Sequence, residues 1–354
     1  MSYRLRSVPP GVSKRRLLLL ALAAVSLAAV AIAVEQLLVS GGDESAGPVS
    51  TTPSPGTGTT FVTVSRASNI AVLDLRTGRI RLVTDSGGRY LAVSSPAWSP
   101  DGRRIAFARQ ECPHCPFRIT VSAADGSSAK PLRGWLREGN EPAWSPDGGQ
   151  LVFATTEGVE RELVLFDLHR AHGRALDLHG DEGGGGEEEV ESPNHPAFSP
   201  DGLTVAFEAE TERERTRIFL LDLPSGELRE VESEADHNAY PAFSPTGQRL
   251  VFSRTDARYA WNVCVAQLDG SQAACLTRGP ANEVEPTWSP DGRSIVFASD
   301  QNDPSRVARS LYLVRPPGSG LRRLTKGYDD GAPSYSPDGT KLAFVRRQIV
   351  RVEG

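Results

Sequence analysis

One heptapeptide recurs six times and limits what this chain can become. Residues 96–102 read PAWSPDG, and Ile105-Ala106-Phe107 follows two residues later. The pattern returns at Pro142 (PAWSPDG, LVF), Pro196 (PAFSPDG, VAF), Pro241 (PAFSPTG, LVF), Pro286 (PTWSPDG, IVF) and Pro333 (PSYSPDG, LAF), at intervals of 46, 54, 45, 45 and 47 residues. A fixed period in this range marks an array of equivalent structural units.

The chemistry of one unit follows from its residues. Pro-x-aromatic-Ser suits a short strand, here strand A. Ser-Pro-Asp-Gly is a turn: proline pre-sets φ, aspartate bonds nearby backbone and glycine takes φ > 0. The apolar triplet after it, strand B, is hydrophobic at consecutive positions, as a strand covered on both faces must be. A second hairpin follows in most units, for example residues 218–223 and 227–231, and supplies strands C and D. Four-stranded sheets covered on both faces and repeated at this period are the blades of a propeller. Two β-sandwiches would not require one sequence six times.

The six Pro-x-aromatic-Ser-Pro-Asp/Thr-Gly runs, with their apolar triplets, resemble the β-propeller repeat of the TolB family, the periplasmic component of the Tol–Pal cell-envelope system. The resemblance covers roughly residues 61–347 and implies the fold more than the function, because such repeats also occur as accessory domains of peptidases and other envelope proteins. The separate N-terminal domain of TolB is not evident. A membrane segment stands in its place.

That segment is preceded by residues 1–16, which hold Arg4, Arg6, Lys14, Arg15 and Arg16 and no acid, and are expected to form a basic cytoplasmic tail. Residues 17–34 are 18 consecutive residues without a charge. As a helix they reach about 27 Å, close to a hydrocarbon core of roughly 30 Å. A single-pass transmembrane helix over 17–39 is therefore expected, acting as a signal anchor. A cleaved signal peptide ending near Ala31-Ile32-Ala33 is the alternative, and both place the rest outside the cytoplasm. Residues 40–60 are rich in Gly, Ser, Thr and Pro and form a linker with an expected span of roughly 25 Å.

The expected architecture is thus all-β: a six-bladed propeller of four-stranded blades over residues 61–354, after one transmembrane helix. Residues 61–84 look like strands B, C and D of a blade without strand A, and residues 333–347 like a blade with only A and B, so the two ends can complete one blade. Residues 61–64 and 342–345 both claim the B position, which leaves the seam open between six blades and seven.

The whole chain carries a net charge of −5, and residues 35–354 carry −10. An acidic ectodomain argues against a nucleic-acid partner. Among the four cysteines, Cys112 and Cys115 form Cys-Pro-His-Cys, and Cys264 and Cys275 sit symmetrically about Asp269-Gly270. Outside the cytoplasm such pairs read as disulfides 112–115 and 264–275, the second at a hydrogen-bonded position about 5.5 Å across. A redox role, a half zinc site and free thiols are the alternatives for the first.

No nucleophile elbow, His-Glu-x-x-His or phosphate-binding loop is present, and no catalytic residue, metal ligand or cofactor is assigned. His169, His172 and His179 fall at the ends of a C–D hairpin, where a solvated edge is expected. The insertion 181–191 (DEGGGGEEEVE) reads as a solvated loop, with weak divalent-cation binding as the alternative.

Alternating strand direction places the D–A and B–C connections on one face, and that face carries everything irregular: the acidic insertion, the Cys-Pro-His-Cys loop and the loops 211–216 and 300–309. Variable loops on a rigid scaffold are where binding resides. Strand A is innermost, so the residues before its proline (Ser95, Glu141, His195, Tyr240, Glu285 and Ala332) ring the channel mouth, with Asn140, Asn194, His237 and Asn238 beside them. This rim suits a polar or cationic segment of a cell-envelope protein or peptide, bound by a monomeric, membrane-anchored module. Alanine at Glu141, His195, Tyr240 and Glu285 is expected to abolish capture with little change in stability, unless the two glutamates accept hydrogen bonds from neighbouring blades. The other reading is a metal-dependent lyase or hydrolase acting on envelope carbohydrate, implied by TolB-like propellers that bind metal through channel-mouth histidines.

Overall fold

Five of the six repeated turns are built the same way. In the first, the Ser99 hydroxyl donates to Asp101 Oδ1 at 2.5 Å, the Arg103 N–H donates to the same carboxylate at 3.0 Å, and the Gly102 N–H returns to the Ser99 carbonyl at 2.9 Å. Gly102 has φ of 67°, the left-handed region open to glycine. Where Thr246 replaces aspartate, the Ser244 and Thr246 hydroxyls meet at 3.3 Å instead.

The computed structural model describes residues 60–353 except 86–90, 136–137, 158–159, 179–189 and 234. The basic tail, the expected membrane span, the linker up to residue 59, His179 and the acidic insertion through residue 189 lie outside the described residues. Among the described residues no helix is long and apolar enough to cross a membrane.

The described chain opens with β1 (Thr60–Asp74) and β2 (Ile80–Leu82). Five complete blades follow. The first is β3 (Ala92–Trp98), β4 (Arg104–Gln110), β5 (Arg118–Ala123) and β6 (Lys130–Pro131); the second is β7 (Asn140–Trp144), β8 (Gln150–Glu157), β9 (Glu160–Asp167) and β10 (His172–Ala175). The third is β11 (Val190–Phe198), β12 (Thr204–Thr211), β13 (Thr216–Asp222) and β14 (Leu228–Glu230). The fourth is β15 (Asn238–Phe243), β16 (Arg249–Thr255), β17 (Trp261–Gln267) and β18 (Ala274–Cys275), and the fifth β19 (Glu283–Trp288), β20 (Ile295–Ser299), β21 (Ser310–Arg315) and β22 (Ser319–Arg323). The chain then returns as β23 (Asp329–Tyr335) and β24 (Lys341–Glu353), which pair with β1 and β2 in the order β2-β1-β24-β23. The propeller therefore has six four-stranded blades, one of them shared by the two ends.

The register decides the seam. Ser68–Asp74 of β1 pairs with Arg347–Lys341 of β24, so residues 342–345 hold the B position and β1 is strand C. Thr60–Val64 pairs with Glu353–Ile349, beyond an irregularity between Val64 and Ser68. Residues 61–64 extend strand C rather than competing for B.

The consecutive apolar triplets divide their side chains between two interfaces. Ile105 and Phe107 pack with Ile70, Val72 and Val345 of the composite blade. Ala106 and Ala108, facing the other way, pack with Leu151 and Phe153 of the second blade. Six such clusters occur among the described residues, one per blade-to-blade interface. Alternate residues of one strand thus serve different neighbours, which is why the hydrophobic pattern does not alternate.

Both expected disulfides form: Cys112–Cys115 and Cys264–Cys275. The second pair is directly opposite in register, but its Cα atoms are 3.8 Å apart, not at the wider hydrogen-bonded spacing. The adjacent Leu276 N–H donates to the Val263 carbonyl at 2.8 Å, so the cysteines take the narrow position of the ladder. The turn is not a simple two-residue loop: the Gln267 N–H donates to the Ser271 carbonyl at 2.9 Å, and Gln272 beyond it takes a φ of 54°.

Candidate functional site: the channel mouth

Every innermost strand breaks register just before its proline. The shifts fall at Ser94/Ala97, Asn140/Ala143, Asn194/Ala197, Ala239/Ala242, Val284/Thr287 and Gly331/Ser334. At each bulge the residue preceding proline is left-handed: Ser95, Glu141, His195, Tyr240, Glu285 and Ala332 have φ between 48° and 58°. A non-glycine residue pays about 1–2 kcal/mol for that conformation, and the fold repeats it six times on residues that line one central cavity of about 220 Å³. Bulges of this kind re-aim side chains.

Glu141, His195, Tyr240 and Glu285 line that cavity together with Ser95 and Ala332. The other four expected residues do not. Asn140 accepts the Ser94 hydroxyl at 2.6 Å, and Asn194 donates to the Ser192 carbonyl at 2.7 Å while accepting from Arg161. Asn238 is buried and accepts the Ser233 hydroxyl at 3.1 Å. His237 receives the Thr216 N–H at Nδ1 over 3.3 Å and lies beside Trp261. The two expected histidines therefore do not share the mouth.

Both rim glutamates bind backbone across blades. Glu141 Oε2 accepts the His195 N–H at 2.8 Å, and Glu285 Oε2 accepts the Ala332 N–H at 2.7 Å. A third carboxylate, Glu208 on β12, accepts the Tyr240 N–H. Each carboxylate thus holds the left-handed residue of the next blade, so their removal would not leave stability unchanged as the sequence suggested.

His195 sits between two of these groups, with Nδ1 3.0 Å from Glu208 Oε1 and Nε2 3.4 Å from Glu141 Oε1. Burial alone would lower its pKa, but the Glu208 and Glu141 carboxylates outweigh that and raise it to about 9. Its ring meets Tyr240 edge-on at 4.4 Å. Burial, then the charges of Glu285 and Glu208, push the Tyr240 phenol up, so it remains a neutral donor. Arg309 reaches Glu285 at 3.8 Å and Asp329 at 3.7 Å. The cavity is lined by two carboxylates, Glu141 and Glu285, and one cation, His195, so its surplus is acidic.

Glu208 and Arg309 were not singled out in the sequence, yet Glu208 had a signal. The residue after each apolar triplet is Ala108, Ala154, Glu208, Ser253, Ala298 or Val345. A single carboxylate among small or apolar residues marks a position on an inter-blade face that must find a partner in the next blade. Arg309 has no comparable signal, because it lies in an irregular loop.

Residues 188–352 match the family model described as the TolB beta propeller domain. The fold is similar to that of TolB from Agrobacterium tumefaciens, at 20% identity and a TM-score of 0.67, covering 81% of this chain and 100% of that one. TolB from Acinetobacter baumannii is 17% identical with a TM-score of 0.55, and the match covers 80% of this chain but 65% of that longer one. An oligogalacturonate lyase solved in complex with manganese is 14% identical with a TM-score of 0.52, covering 83% and 98%. No curated protein matches the chain in sequence. The mouth does not fit a manganese site: among the described residues no three His, Cys, Asp or Glu side chains are arranged to hold a metal ion, and both ring nitrogens of His195 face carboxylates.

Proposed function

We propose, from the premise that this chain carries a TolB-like β-propeller, that it is an extracytoplasmic, membrane-anchored binding module. Its channel mouth captures a polar or cationic segment of a cell-envelope protein or peptide. The observation that carries this reading is the ring of six left-handed residues, five with polar or charged side chains, around one small cavity of acidic surplus. The strained bulges recur in all six blades and point their side chains at one place, and strain of this kind collects at binding sites. The two disulfides support an oxidising compartment. The basic stub and the 18-residue apolar run support anchoring with the propeller outside.

The combined variant Glu141→Gln, Glu285→Gln and Tyr240→Ala keeps acceptors for the two backbone N–H groups while removing charge and the phenol. A photoreactive residue at Ser95 would first identify the segment bound in living cells. The variant should then bind the purified segment at least about tenfold more weakly, as loss of a central anchor of about 2 kcal/mol implies. Unchanged affinity in a folded variant would remove the mouth from the function. For the anchor, a cysteine placed at position 50 should be labelled by a membrane-impermeant maleimide on intact cells. Protection there would reverse the topology.

A further inference from the structure

In the last two blades the residue three before the proline of the innermost strand faces a residue of the next strand, and the two pairs differ. In the composite blade Asp330 is paired with Arg346; in the fifth, Glu283 is paired with Ser299. Asp330 is fully buried, and Arg346 meets it with two bonds of 2.8 and 2.7 Å. The same guanidinium lies 4.2 Å from the Tyr328 ring centre and 5.2 Å from that of Phe344. The counterparts of Asp330, Arg346, Tyr328 and Phe344, all 47 residues earlier, are Glu283, Ser299, Ala281 and Phe297. The carboxylate and one aromatic persist, while the arginine has become serine and the tyrosine alanine.

Space opens where the tyrosine is missing, beside Ala281. A groove of about 500 Å³ lies between the connections that flank β19 and β20, lined by Ala281, Glu283, Asp300 and Asp303 and rimmed by Arg278 and Arg306. Glu283 is 5% exposed, and its Oε2 has no hydrogen-bond partner among the described residues. The other carboxylates are engaged. Asp300 accepts from the backbone and side chain of Asn282, each at 2.9 Å, and Asp303 accepts the Val307 and Ala308 N–H groups at 2.9 and 2.6 Å. Arg306 donates to the Pro280 carbonyl. Burial pushes the Glu283 carboxyl up to about 7, against the pull of the Thr277 hydroxyl and the Val263 N–H and with a smaller push from Asp300. This is the behaviour of an acid that lacks its cation.

We propose that this groove binds a guanidinium group, which takes beside Glu283 the place that Arg346 fills beside Asp330 in the adjoining blade. A guanidinium offers the planar paired donors that a carboxylate accepts; an ammonium does not. The site is distinct from the channel mouth and does not depend on the function proposed for it.

The test uses the full chain purified in detergent, titrated calorimetrically with Nα-acetylarginine methylamide, its lysine analogue and agmatine. The arginine compound should bind saturably, at least tenfold more tightly than the lysine analogue. Its affinity should rise about tenfold between pH 6 and pH 8 as Glu283 ionises. Glu283→Gln should lower affinity at least tenfold, with the thermal transition showing that the variant is folded. Ser299→Arg should supply the missing cation internally and abolish binding. Agmatine binding equal to that of the arginine compound would indicate a small guanidine as the ligand; much tighter binding of an arginine-containing peptide would indicate a polypeptide. Absence of saturable guanidine binding, or full affinity in folded Glu283→Gln, overturns the proposal.

Discussion

Arg346→Ala should destabilise the propeller by about 3–5 kcal/mol, the usual result of removing one partner from a buried ion pair. Asp330 would be left in a fully buried position without the two bonds that neutralise it. The aromatic contacts to Tyr328 and Phe344 would be lost at the same time. The location magnifies the effect, because Asp330 lies on β23 and Arg346 on β24, within the blade that joins the two ends of the chain. Arg346→Lys should recover only part of the loss, since an ammonium cannot make the paired contact. The double variant Asp330→Asn, Arg346→Leu should cost less than Arg346→Ala, because no uncompensated charge remains. Urea midpoints at constant m-value measure all three. A loss below about 1 kcal/mol for Arg346→Ala would show that water reaches Asp330 and that the pair is not what closes the ring.

Stability should also fall as pH rises from about 6.5 to 9, and Glu208→Gln should remove much of that dependence. The folded pKa of His195 lies above its ordinary value, at about 9. A raised pKa means that the folded state holds the proton more tightly than the unfolded chain. The stabilisation is complete below about pH 6.5 and disappears as pH passes through 9, with a full amplitude of roughly 3 kcal/mol. Glu208 is the leading source of the attraction and also accepts the Tyr240 N–H. Glutamine keeps an acceptor for that N–H but carries no charge, so His195 should titrate closer to its ordinary range. Wild type and variant should differ by about 2 kcal/mol at pH 6 and converge near pH 9. Equal pH slopes in the two proteins would mean that His195 is not held as a cation by Glu208.

The two effects share a physical origin. The inter-blade interfaces are apolar, so a charge placed in or beside them must be matched by another across the gap. At His195 the two carboxylates outweigh burial, whereas at Asp330 the Arg346 guanidinium opposes burial, which still leaves the carboxyl above its ordinary range. At Glu283 burial is comparable and no cation is paired with the carboxylate among the described residues.

Much of this protein can be read along a single repeat. Proline, serine, aspartate and glycine act within a few residues of each other, so each turn forms wherever its four residues occur. The apolar triplets report two covered faces for the same reason, since the faces of one strand are properties of consecutive residues. The period then determines the architecture, and the partial repeats at the two ends locate the composite blade. Even the ring of mouth residues follows from counting one position back from each proline.

Contacts between blades were decided elsewhere. Glu141 holds the His195 N–H across 54 residues, and Glu208 holds Tyr240 across 32. No local pattern encodes which side chains face each other once sheets stack laterally, so the clamping role of the rim glutamates became visible only in three dimensions. The same holds for the cysteine pair in the narrow position, which depends on which neighbouring backbone groups bond. It holds also for residues 61–64, whose place as an extension of strand C was settled by pairing with the far end of the chain. Local chemistry fixed the repeating unit. Stacking of the units decided which charges meet, because burial and cross-blade distance are properties of the closed ring.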